Sequence, residues 1–194
     1  MTAHLPFPRV LAAVLSIAAL SAQESSKPRK SPDVPFVPTT EAAVEAMMKL
    51  ADVKKTDVLY DLGCGDGRIV IAAAKRGARA VGIDIDPQRI KEARENAKKA
   101  GVENMVRFEE QDLFDADIHE ATVVSLFLLP SVNLKLKPKL ISDLKPGTRV
   151  VSNTFDMGEW KAEKESSLGD GPDEEYSYLS HKFFLWTIPA KEGK

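Results

Sequence analysis

The sequence predicts an α/β protein: a doubly wound, mainly parallel seven-stranded sheet with a C-terminal antiparallel hairpin. Three observations predict it. Apolar, strand-like runs alternate with segments of helical period from residue 57 to residue 153. The first run feeds a glycine loop, Asp61-Leu62-Gly63-Cys64-Gly65-Asp66-Gly67, that opens into a helical segment. After residue 153 the alternation breaks, and residues 160–167 and 181–188 read as two strands joined by the polar stretch 169–175.

Each element has its own signal. Pro38-Thr39-Thr40 stops an extended entry segment and caps a helix whose inner face carries Val44, Met47 and Met48. Residues 57–62 form a short strand, 69–75 a helix and 78–83 a second, buried strand. Asp86-Pro87 starts the next helix, with a side-chain cap and a preset φ, and Ile90, Ala93 and Ala97 face inward. Residues 105–110 and 121–129 are strand-like. A helix over 134–144 is predicted to bury Leu136, Leu140, Ile141 and Leu144, with Asn133 at its start and Lys135, Lys137, Lys139 and Lys145 in solvent. Pro146-Gly147 turns the chain into a fifth strand, 148–153. Five β–α repeats and a hairpin result. Trp160, Phe184 and Trp186 read as packing residues of that hairpin.

Composition narrows the function classes. The 194 residues suit one domain, 43% are hydrophobic and 29% charged, and the net charge of −2 gives no electrostatic reason to expect nucleic acid. His4, His119 and His181 are scattered and Cys64 is single, so no metal-ligand spacing and no internal disulfide is expected. Cys64, between two glycines, reads as a small residue that fits the loop. The chain opens with Arg9, an apolar run over 10–20 and Ser21-Ala22-Gln23, the layout of a signal peptide over 1–22. That run is short for a membrane span, which needs about 20 apolar residues. Residues 23–33 then read as a flexible linker and 34–190 as the folded domain. Export, to a periplasm if the segment is cleaved, is the expectation; a cytoplasmic or membrane-tethered protein is the alternative.

The loop and three strand ends carry the chemistry. A dinucleotide fingerprint would place its third glycine at position 68, which is Arg68. Asp61 and Asp66 would repel a pyrophosphate, yet they suit a cationic ligand such as S-adenosylmethionine. Asp84, about 20 residues beyond the loop, stands where a carboxylate accepts hydrogen bonds from ribose hydroxyls. Asp112 ends the third strand, where it can take an adenine amino hydrogen while Leu113 covers the ring. Alone, Asp112 reads equally as a turn residue; three acidic strand ends in one register are harder to assign to chance.

At these residues the chain resembles the class I (seven-strand) S-adenosylmethionine-dependent methyltransferases, whose fold is Rossmann-like. It is most similar to the small lysine methyltransferases related to the ATP synthase c-subunit enzyme. The resemblance lies in Pro35-Phe36-Val37-Pro38-Thr39-Thr40, in the loop through Arg68-Ile69-Val70, in Leu128-Leu129-Pro130-Ser131-Val132-Asn133-Leu134-Lys135-Leu136 and in Lys145-Pro146-Gly147-Thr148-Arg149-Val150-Val151-Ser152. It implies that Asp61, Gly63, Gly65 and Gly67 line the methionine end of the cofactor, with Thr39 and Thr40 near its amino acid group. It also implies that Asp84 holds the ribose and Asp112 the adenine. The acceptor would approach along residues 125–130, with Ser125, Phe127 and Pro130 as channel candidates and no residue assigned a catalytic role. Ser125-Leu126 departs from the Asn-rich patterns of many amino-group methyltransferases. That departure bears on the acceptor and not on the donor; what the resemblance as a whole implies is methyl transfer to a protein lysine. A small-molecule or O-methyltransferase, a non-catalytic cofactor-binding module and, behind both, a dehydrogenase are the alternatives.

Overall fold

The computed structural model describes residues 36–168 and 182–190. The signal and linker expected over 1–33, the start of the domain at Val34 and Pro35, the polar stretch 169–175 and His181 lie outside the described residues. The chain enters through an extended segment and forms α1 (Glu41–Leu50), whose first turn is closed by Thr40 accepting from the Ala43 N–H at 3.2 Å. Three more helices follow: α2 (Arg68–Lys75), α3 (Pro87–Lys99) and α4 (Pro130–Asp143). Asp86 caps α3 through the Gln88 N–H at 2.8 Å, and Pro87 occupies the first turn, where its missing N–H costs nothing.

The strands are β1 (Val58–Leu62), β2 (Arg79–Asp84), β3 (Val106–Glu110), β4 (Val123–Leu126), β5 (Arg149–Asn153), β6 (Lys164–Ser167) and β7 (Lys182–Thr187). They form one seven-stranded sheet in the order β3-β2-β1-β4-β5-β7-β6, with β1 to β5 parallel. Strand β7 runs antiparallel to both β5 and β6, which makes the expected C-terminal hairpin. Successive side chains of β1 go to opposite faces: Leu59 joins the core under α1, α2 and α3, while Tyr60 and Leu62 join the core under α4.

The structure departs from the sequence expectation in four places. Strand β6 begins at Lys164 and not at residue 160; Trp160 makes instead an isolated antiparallel bridge with Met157. The β3–β4 connection, residues 111–122, carries no helix; Ala116 and Ile118 are buried there and fill the α4 face instead. Strand β4 ends at Leu126, short of residue 129, and its partner β1 ends in register with it at Leu62. Helix α4 starts four residues early, at Pro130, whose fixed φ suits a first helical position. Its buried stripe therefore runs through Val132, Asn133, Leu136 and Leu140 to the helix end at Leu144. Ile141 falls beside that stripe and is exposed, and Asn133 is interior rather than a cap.

The N-terminal edge of the sheet is locked by Asp57. Its carboxylate accepts from the Thr122 hydroxyl at 2.8 Å and the Lys54 N–H at 2.7 Å, and pairs with the Arg149 guanidinium. Arg149 also reaches the carbonyls of Ala51 and Asp52. The starts of β1, β4 and β5 are thus tied together, so their carboxyl ends emerge side by side.

Candidate active site

Between β1 and β4 the chain changes direction across the sheet: β2 and β3 lie to one side, β4 and β5 to the other. Connections leaving neighbouring strands in opposite directions open a crevice at the carboxyl edge. A cleft of about 980 Å³, open to solvent, lies there.

Its acidic half is built by the β1–α2 loop. The Gly63 and Cys64 N–H groups donate to the Ile83 carbonyl at 2.8 and 2.9 Å, and the Gly65 N–H donates to Asp84 Oδ2 at 2.8 Å. Asp84 Oδ1 accepts from the Asp86 N–H at 2.9 Å. A carboxylate has about four lone-pair sites, so Asp84 retains acceptor capacity toward a ligand. Gly65 has φ +52°, and a Cβ there would meet the Phe36 ring at 2.3 Å, so the loop needs glycine for both conformation and space. Gly67 also has a positive φ and caps α2, but its missing Cβ makes room for Ala93 and Phe108, away from the cleft.

Asp61, at 2% exposure, points from β1 into the cleft and accepts from the Ser125 hydroxyl at 2.7 Å. Burial pushes its carboxyl up to about 7; the Ser125 bond opposes this, and the Asp84 and Asp66 carboxylates add to it. Burial likewise holds the Cys64 thiol well above the ordinary thiol range, which suits a packing role and not a nucleophile. Arg68 brackets Asp66 and reaches the Thr39 carbonyl, fastening the entry segment to the loop. Arg89 stands 4.7 Å over the centroid of the Phe36 ring.

Thr39, Asp61, Gly63, Gly65, Asp84, Asp112 and Leu113 line one cleft, together with Phe127 and Leu128. Four residues expected at the site are placed otherwise. Thr40 caps α1, and Gly67 packs behind the loop. Ser125 is fully buried against Asp61, and Pro130 is exposed in the first turn of α4. Asp112 also makes the turn alternative visible, accepting from the Phe114 N–H at 3.0 Å. The sequence did not single out Phe36, Arg89 or Val132 as cleft residues. Phe36 stood inside a recognised motif, but a partner 29 residues away gives no local signal. Among the described residues, no group of three or more His, Cys, Asp or Glu is arranged to hold a metal.

The family described as "ANTKMT methyltransferase domain" matches residues 61–164. The chain belongs to this methyltransferase family. A "Protein-lysine N-methyltransferase" of Saccharolobus islandicus (strain REY15A) is 45% identical over 159 residues, which cover 81% of this chain and 95% of that protein. The human ATP synthase c-subunit lysine N-methyltransferase is 33% identical over 77% of this chain, which spans only 63% of it. Among solved structures, an "RNA methyltransferase from Salinibacter ruber in complex with S-Adenosyl-L-homocysteine" is 53% identical. Its TM-score is 0.74, with 81% of this chain and 97% of that one covered. The protein is thus a class I S-adenosylmethionine-dependent methyltransferase, with S-adenosylmethionine as the methyl donor. The cleft fits that donor, which carries cationic groups at one end and hydroxyls in the middle: buried Asp61 and strand-end Asp84 line it and could hold the two.

The raised Asp61 carboxyl gives the donor's binding a definite pH dependence. An Asp whose folded pKa stands above its unfolded value of about 3.9 stabilises the fold most below that value, and loses this contribution as pH rises toward 7. A cationic ligand acts in the opposite sense, because it favours the carboxylate. Affinity for S-adenosylmethionine should therefore rise between about pH 5.5 and about pH 7.5, with up to about one proton released on binding near pH 6. Calorimetry in buffers of different ionisation enthalpy reads that proton. Asp61→Asn should bind more weakly and release none.

Proposed function

We propose that this methyltransferase acts on the side-chain amine of a protein lysine. The observation that carries the reading is the asymmetry of the cleft: acidic along the β1–α2 and β2–α3 connections, apolar where Phe127 and Leu128 of the β4–α4 connection and Val132 of α4 line it. The lysine methyltransferases of Saccharolobus islandicus and human support the same acceptor.

When bound, S-adenosylmethionine supplies an electrophilic methyl group. The residues of this chain do the rest. Asp61 and the loop around Gly63 and Gly65 would hold the amino acid end, Asp84 the ribose, and Asp112 with Leu113 the adenine. A free lysine has a pKa of about 10.4 and reaches the site as an unreactive ammonium. Phe127, Leu128 and Val132 disfavour the charged form by excluding water, so the amine is released as a nucleophile without a strong base beside it. Its lone pair then forms the new C–N bond as the C–S bond breaks, and the surplus proton leaves to solvent. His119, the one histidine among the described residues, is exposed, bonded to Asp117 and outside the cleft. The chain's contribution is alignment and desolvation.

A second reading has one specific observation behind it, the 53% identical structure described as an RNA methyltransferase. The balanced charge, net −2, disfavours it, since nucleic-acid affinity rests largely on neutralising phosphates. Reaction of the full chain with labelled S-adenosylmethionine and either protein or RNA, followed by mass spectrometry, separates the two. The expected product is N-methyl-lysine, formed faster as pH rises. Phe127→Ala should lower turnover more than donor affinity. Label confined to RNA, to oxygen or to a metabolite would end the lysine reading. We also propose that residues 1–22 direct export of the chain; the mature protein should begin near Gln23 on N-terminal sequencing, and an intact Met1 start would refute this.

A further inference from the structure

Asn133 is an anomaly in α4. It stands in the buried stripe among Val132, Leu136 and Leu140, is fully buried, and its Oδ1 has no hydrogen-bond partner among the described residues. A buried amide oxygen left unpaired costs stability that an apolar side chain of the same size would not. The other end of the amide is engaged. Nδ2 donates to the carbonyls of Phe155 and Asp156, each at 3.3 Å, and lies 3.5 Å from the Ser152 hydroxyl. Ser152 in turn donates to the Phe155 carbonyl at 2.7 Å.

These bonds converge on the turn that leaves β5. Thr154 has φ +67°, a left-handed conformation that a β-branched residue adopts only under constraint. The Phe155 N–H folds back onto the Asn153 carbonyl at 2.8 Å. The outcome is the position of one ring: Phe155 stacks on Phe127 with centroids 6.5 Å apart and planes 21° from parallel. Phe127 lines the cleft; Phe155 and Asn133 do not.

We propose that Asn133 is a positioning residue for methyl transfer: through the 154–156 turn it holds Phe155 behind Phe127, and so fixes the wall along which the acceptor approaches. This rests on the reading of the Phe127 side as the acceptor side. Asn133 touches neither donor nor acceptor; it acts through two backbone carbonyls and two rings.

The test is Asn133→Leu in the full chain. Leucine fills the stripe and removes the unpaired oxygen, which offsets the two donor bonds lost to the Phe155 and Asp156 carbonyls, so the melting temperature should change by only a few degrees, and S-adenosylhomocysteine affinity should stay within about twofold. Single-turnover methyl transfer at saturating donor should nevertheless fall roughly ten- to hundredfold, since a misplacement of about 1 Å can cost about a hundredfold. Asn133→Leu combined with Phe155→Ala should be no slower than Phe155→Ala alone, because both remove the same support. Ser152→Ala keeps the amide and removes the 2.7 Å bond, so it supplies the same readout if Asn133→Leu does not fold. A wild-type rate in Asn133→Leu, or losses that multiply in the double variant, would overturn the proposal. A wild-type chain that labels no lysine refutes the acceptor reading separately, and the rate comparison is then made on the acceptor that takes label.

Discussion

Asp61 is a carboxyl group taken out of water at the end of β1, an inner strand, held by one hydroxyl from the neighbouring strand and crowded by two further carboxylates. Nothing in its own segment compensates for that. The surroundings follow from the need to keep it there: β1 and β4 must pair in register through Leu62 and Leu126 for Ser125 to reach it. The glycine loop must also fold tightly over the end of β2, so that Gly65 meets Asp84. The Asp57–Thr122–Arg149 cluster at the opposite edge sets that register from below. A group so placed favours a cationic ligand, since ionising it alone in the cleft costs free energy that a nearby positive charge returns.

The two halves of the cleft come from different kinds of connection. The acidic half is rigid, made of strand ends and a loop pinned by backbone hydrogen bonds to Ile83 and Asp84. The apolar half comes from chain that has just left the sheet after Leu126, and is backed by side chains that do not reach the cleft: Phe155 against Phe127, and Asn133 and Ser152 against the 154–156 turn. On the proposed reading, donor recognition is built into the sheet and acceptor recognition into its exits. Within one family, that division lets the acceptor vary while the donor does not, which suits relatives described as acting on protein lysine and on RNA.

Much of this was legible in the sequence because it depends on local signals. Thr40 and Asp86 read as caps from their neighbours alone, and the strand–glycine loop–helix pattern with Asp84 one strand later located the acidic half. The remainder depends on distance. Ser125 reads as a channel residue until β1 is seen beside it. Asn133 looks like a helix start because polar residues favour caps, and only the early start at Pro130 turns it inward. Phe36 and Arg89 meet across 53 positions, and Phe127 and Phe155 across 28, separations at which periodicity carries no information. Ile141 was misplaced because it lies one position round the helix from Leu140, at the edge of the stripe of Leu136, Leu140 and Leu144, where apolar character alone does not decide burial.

The central claim is that one cleft holds the donor in a single orientation between these halves, and a crystal structure with S-adenosylhomocysteine tests it most directly. The account predicts the amino acid end beside Asp61 and Gly63, the ribose hydroxyls on Asp84, the adenine at Asp112 and Leu113, and the sulfur directed toward Phe127. A ligand in the reverse orientation, or a ribose held elsewhere with Asp84 bonded only to the Gly65 and Asp86 N–H groups, would contradict it.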